Sequence, residues 1–233
     1  MVERLLWEQE VVGSNPVAPT IFPGHIGPVI RWNSCICCAI LSPLMLIRTI
    51  LFSLVVFRTT VLSGAEFDHS HTNLSAILRQ HVEKARVNYR AIKSSPAALD
   101  RYLGGLAKVS RRDFDRWQED QQVAYLINLY NARTIELIIG EYPIKSIKKI
   151  GWLPGAAWRK KFVPLFGSKV SLGHIEHEIL RKKYDLPEIH FALVCAAKGC
   201  PPLRSEAYTA KELRTQLIGQ GREFMADRSK NRV

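Results

Sequence analysis

The chain has 233 residues, of which 47% are hydrophobic and 23% charged, and its formal net charge is +12. That composition excludes a disordered or fibrous polypeptide and fits one globular domain with a sizeable core. The charge belongs to the later part of the chain, because residues 66–233 hold 29 basic against 18 acidic side chains.

Residues 1–44 read as a leader outside the fold. Val12 to Pro19 contains Gly-Ser-Asn-Pro, which the consensus T-arm of a tRNA gene encodes when translated, so a start codon assigned too far upstream would produce it. Cys35, Cys37 and Cys38 then lie outside the mature chain and are not read as metal ligands. Residues 45–65 carry Arg48, an apolar run over 46–57, and Ser63-Gly64-Ala65, the small residues a signal peptidase prefers. This pattern predicts a cleavable signal and a periplasmic or secreted protein. The alternative is an inner-membrane anchor, because apolar residues reach back to Cys35 and give roughly 22 positions, enough to span a bilayer. Pro43, Arg48 and Arg58 weigh against it.

Downstream the pattern is mostly helical. Leu74, Ile77, Leu78, His81, Val82 and Ala85 follow helical spacing, with Thr72 or Asn73 as cap and Asn88-Tyr89 as the end. Pro96 after Ser94-Ser95 opens a second helix carrying Leu99, Tyr102, Leu103 and Leu106. Residues 119–141 give the strongest signal, with Val123, Leu126, Ile127, Tyr130, Ile135 and Ile138 on a broad apolar stripe closed by Tyr142-Pro143. Asn128 and Asn131 lie within that stripe. An unpaired buried amide costs roughly 1–3 kcal/mol, so each needs a specific partner. Either the two cross-link neighbouring loops, or one of them orients a catalytic imidazole.

Residues 144–159, with Gly151, Pro154 and Gly155 between Trp152 and Trp158, read as a loop with aromatic anchors. Residues 162–172 read as a small hairpin around Gly167-Ser168. Ser171 caps a helix over 171–184 in which Ile175, Ile179 and Leu180 face the core and His174 and His177 are neighbours on one side. Residues 189–195 alternate like a strand, with His190, Ala192 and Val194 on one face and Phe191 and Leu193 on the other. The run ends at Cys195, Cys200 follows five positions later, and Pro201-Pro202 forbids continuation, so a thiol is held at the mouth of a rigid element. A last helix runs from Thr209 to about Arg228, carrying Leu213, Leu217, Gly221 and Phe224. Together these elements predict an α+β fold, mainly helical, with helices packed on a small sheet.

Three blocks in order, AYLINLYNA (124–132), LGHIEHEILR (172–181) and FALVCAAKGCPPLR (191–204), resemble the signature segments of the domain of unknown function 547 family. The resemblance runs from about Thr72 to the C-terminus. It places the family's shared positions on Asn128, Tyr130, Asn131, Glu176, His177 and Cys195. Many plant relatives carry serine at the position of Cys200, so the resemblance implies that Cys195 holds the shared role. Two departures stand out: Tyr125-Leu126 replaces the usual Phe-Trp, and relatives continue beyond Asn231-Arg232-Val233, so a C-terminally truncated domain over 72–233 is expected.

The chemistry open to these residues is nucleophilic. A thiolate at Cys195, an imidazole at His177 and a helper at Asn128, Asn131 or Glu176 would make a triad, with Tyr130 and Cys200 in support. The chain order of helper, His and Cys reverses that of papain, as in permuted papain-like proteins, and triads are defined by geometry. The resemblance therefore implies a papain-like or transglutaminase-like hydrolase or acyltransferase acting on an amide or thioester bond. The competing class is a noncatalytic envelope binding or structural module in which an oxidising compartment pairs Cys195 with Cys200. A metal site from His174, Glu176, His177, His190 and the cysteines lacks the i,i+4 histidine pair of zinc hydrolases, and no metal or other cofactor is expected. The basic clusters Lys145/Lys148/Lys149, Arg159-Lys160-Lys161 and Arg181-Lys182-Lys183 are solvated faces that could also attract anionic envelope polymers or lipid headgroups. No reading motif for nucleic acid is present, and none is expected as a partner.

Overall fold

A computed structural model describes residues 67–230, apart from Ala85, Lys198 and Ser229. Residues 1–44, read as a leader, residues 45–65, read as a signal peptide or membrane anchor, and the last three residues lie outside the described residues.

The axis of the fold is helix α5, Glu119–Gly140. Helices α1 (Thr72–His81), α2 (Tyr89–Ser94), α3 (Ala97–Ala107) and α4 (Arg111–Phe114) precede it. A helix apolar on nearly every side must be enclosed all round, and 17 of the 22 residues of α5 are buried. Gln121 Oε1 accepts the Gln118 backbone N–H at 2.9 Å, closing one orphan donor at the helix start. The helix ends just before Tyr142-Pro143, which is a cis peptide. α2, α3 and a π-helical segment, His174–Leu180, pack against it.

The beginning of the domain departs from expectation in three places. Neither Thr72 nor Asn73 caps α1: His71 occupies the cap position in a left-handed conformation, without a side-chain cap bond. α1 stops at His81, not Ala85, because Val82–Glu83 (β1) turns through Lys84 to pair with Arg86–Val87 (β2), setting one β-branched valine opposite the other. Asn88 then starts a helix where an end was expected, its side chain accepting the Ala91 N–H at 3.1 Å to cap α2.

The hairpin over 162–172 forms, with its turn at Phe166-Gly167, one residue earlier than Gly167-Ser168, so that Ser168 opens the second strand. Val163–Leu165 (β3) and Ser168–Val170 (β4) are antiparallel, with Leu165 opposite Ser168. Phe166 and Gly167 both take positive φ, the backbone that a two-residue turn of matching twist demands. Short helix α6, Ala156–Arg159, precedes the hairpin. Trp158 packs on the core as an anchor, but Trp152 does not. Among the described residues strands occur only as two two-stranded hairpins, so the fold is mainly helical α+β, and the papain-like comparison gains no support from the sheet.

After the hairpin, Ser171 Oγ accepts the His174 N–H at 3.1 Å, as its capping role requires. The segment that follows is π-helical, and its wider turn lines up residues five apart. Ile175 and Leu180 are accordingly both fully buried, while Ile179 is only half-buried. The π segment runs on into α7, Arg181–Lys183. Residues 189–195 are not a strand. Ile189–Ala192 forms a helical turn, α8, opened by bonds from Ile189 N–H to Leu186 O and from His190 N–H to Pro187 O. The last helix, α9, is Leu213–Ala226 and starts later than Thr209, whose N–H is taken by the Gln216 side chain at 3.0 Å.

Candidate functional site

Asn131 projects from the middle of α5 onto the segment that leads into Cys195. Its Nδ2 donates to Ala192 O and its Oδ1 accepts Val194 N–H, both at 2.9 Å. An amide side chain offers the same donor and acceptor as a peptide group, so Asn131 supplies the two bonds that a neighbouring strand would have made. Asn128 does the same one helical turn earlier, donating to Tyr208 O at 2.7 Å and accepting Tyr208 N–H at 3.0 Å. Both amides are thus used in cross-linking distant backbone.

Cys195, half-buried, follows directly on the Asn131 clamp and is joined to Cys200 by a disulfide with a Cα separation of 6.1 Å. Between them Ala196 takes φ 53°, a left-handed conformation that a non-glycine residue adopts only under local constraint. Lys230 Nζ donates to Cys200 O at 3.0 Å and Gln220 Nε2 donates to Pro202 O at 2.8 Å, so the far side of the loop is tied to the C-terminal helix and the residues just after it. The segment that carries Cys195 is therefore fixed from two sides.

The remaining predicted residues gather around the π segment. Tyr130 donates its hydroxyl to Glu176 Oε2 at 3.3 Å. Burial, reinforced by the Glu176 carboxylate, drives the Tyr130 hydroxyl far above its usual range, so it stays a neutral donor. His177 is exposed, and its Nδ1 lies 3.3 Å from an Arg181 guanidinium nitrogen. His190 is held below the ordinary histidine value first by desolvation and then by Arg181, with His177 adding to the effect and Glu176 opposing it. Glu176, His177, Arg181 and His190 thus form one electrostatic group. His174 stands exposed on the same segment. Among the described residues no three His, Cys, Asp or Glu side chains are disposed to hold a metal ion.

Several polar residues carried no motif yet share this construction. Gln122 in α5 donates to Phe114 O and Trp117 O and accepts from Lys183 and from the Tyr184 hydroxyl. Ser75 accepts Ala207 N–H at 3.1 Å, and Gln216 donates to Ala207 O at 3.0 Å. Their one sequence signal is a polar side chain at an inward helical position.

Residues 114–225 match the family model described as Protein of unknown function, DUF547. Residues 114–225 belong to the DUF547 family. All three signature blocks lie inside the matched span, as do the Asn131 clamp, the π segment and the disulfide of this DUF547 domain. No curated protein and no solved structure matches the chain.

Proposed function

We propose that this DUF547 protein is a noncatalytic module of the cell envelope, in which the closed Cys195–Cys200 bond stiffens a segment presented to a partner. The observation that carries this reading is the disulfide. A paired cysteine offers no thiolate, and such bonds persist in oxidising compartments, in keeping with the export signal read at 45–65. The backbone bonds of Asn128 and Asn131 support the same reading, because they assign both amides to holding the chain. The basic clusters add attraction for anionic envelope polymers or lipid headgroups.

A second reading is favoured by the electrostatic group of Glu176, His177, Arg181 and His190. In it Cys195 is the nucleophile of a hydrolase or acyltransferase for an amide or thioester, exposed only after a dithiol reduces the disulfide and is itself oxidised in exchange. Alkylation separates the two. In Cys200→Ala the Cys195 thiol is freed without reductant, and its reaction with iodoacetamide is followed against pH by peptide mass. A structural cysteine titrates near the ordinary thiol value of about 8.5 and is indifferent to His177→Ala. Rapid alkylation well below that pH, collapsing in His177→Ala, overturns the module and establishes the nucleophile.

A further inference from the structure

The loop over 151–155, GWLPG, directs two large apolar side chains into solvent: Trp152 is 102% exposed and Leu153 67%. Its shape is set by close backbone packing. Gly151, at φ +81°, lies so near Ala156 that an added Cβ would stand 2.5 Å from the Ala156 Cβ. Ala156 N–H donates to Leu153 O at 3.0 Å, and Arg159 Nη2 donates to Pro154 O at 2.6 Å. A tip braced in this way loses little freedom when it binds.

The sequence that flanks the tip is cationic. Between Glu141 and Glu176 the sequence holds seven Lys or Arg residues and no acidic one. Lys145, Lys148, Lys149, Lys160 and Lys161 are exposed, and none forms an ion pair with an acid among the described residues. A soluble polyanion would satisfy these lysines but leave the indole and the leucine in water. A bilayer accepts both, since tryptophan favours the boundary between headgroups and acyl chains and lysine favours the phosphates above it.

We propose that residues 145–161 form an interfacial anchor: Trp152 and Leu153 enter the acyl boundary of an anionic bilayer while the flanking lysines engage its headgroups. The anchor narrows the polyanion attraction described above to a membrane surface, and it rests on that attraction for its charge component alone. It is independent of the state of Cys195.

Vesicles of equimolar phosphatidylcholine and phosphatidylglycerol with brominated acyl chains test it on the full chain, because bromine quenches tryptophan fluorescence on contact. The chain has five tryptophans, so the difference between wild type and Trp152→Phe isolates Trp152. Wild type is expected to be quenched beyond Trp152→Phe, with the excess lost on pure phosphatidylcholine and the apparent affinity falling roughly fivefold for each of Lys148→Gln and Lys160→Gln. Equal quenching of wild type and Trp152→Phe overturns the anchor. An excess undiminished on phosphatidylcholine alone overturns the part given to the lysines. Retention on immobilised polyphosphate, measured in parallel, separates the two levels. Equal quenching with retention intact sinks the anchor and spares the polyanion reading, whereas excess quenching without retention sinks polymer binding and supports the anchor.

Discussion

Asn131 joins one α5 side chain to backbone groups on both sides of Leu193, 61 and 63 residues further along the chain. Its removal leaves a carbonyl and an N–H unpaired beside Cys195. Each orphaned group costs about 1–3 kcal/mol, so Asn131→Ala is expected to lower stability by about 2–6 kcal/mol in urea unfolding and to strip hydrogen-exchange protection from the Val194 amide. Unchanged protection there would show that the clamp is dispensable. His71 makes a different residue-scale case. It is 1% exposed, its Nδ1 lies 2.8 Å from the Tyr102 hydroxyl, and its Nε2 meets no partner among the described residues. Burial first, and the neighbouring His69 second, push its pKa from 6.5 to about 4 against the opposing pull of Asp68. The unfolded chain therefore takes up the proton first as pH falls. The stability associated with His71 is complete above about pH 6.5 and is lost between there and about pH 4, by roughly 3 kcal/mol. Urea melts at stepped pH should show that slope, and His71→Gln should flatten it.

At the scale of elements, the clarity of the sequence signal follows how much of each element's environment is local. α5 was legible over almost its full length, because enclosure on all sides imposes apolar residues throughout and leaves few alternatives. Leu126 and Ile127 are fully buried at its centre, and Leu126→Ala is expected to cost about 2–5 kcal/mol, measured as a fall in the urea midpoint without a change in slope. A loss below about 1 kcal/mol would contradict its place in the axis. The hairpin of β3 and β4 was legible as an element for a comparable reason, since a glycine-containing turn between apolar runs is a local signal, whereas its turn sits one residue earlier than read, at Phe166-Gly167. Residues 189–195 misled because alternation marks a strand only where a partner strand exists. Here α5 provides an amide in place of a strand, and the turn around Pro187 winds the chain into α8. The end of α1 misled likewise: Val82 fits a helical stripe, yet its backbone pairs with Val87.

Across the whole molecule, one device recurs: polar side chains from helices hold extended segments that lack strand partners. Ala207 to Thr209 is held by Ser75 from α1, Asn128 from α5 and Gln216 from α9, while Ala192 to Val194 is held by Asn131. This is how a mainly helical fold keeps its irregular chain ordered when, among the described residues, its strands form only two separate small hairpins. Local pattern was enough for the axis helix, the second hairpin, the basic stretch without acids and the blocks that carry the family, because each depends on residues within a few positions of one another. Packing between distant parts was needed to assign Asn128 and Asn131 to backbone, to group Glu176, His177, Arg181 and His190, and to leave Trp152 in solvent while Trp158 turns inward. A side chain's partner is whatever the fold brings beside it, and Tyr208 is 80 positions from the amide that holds it.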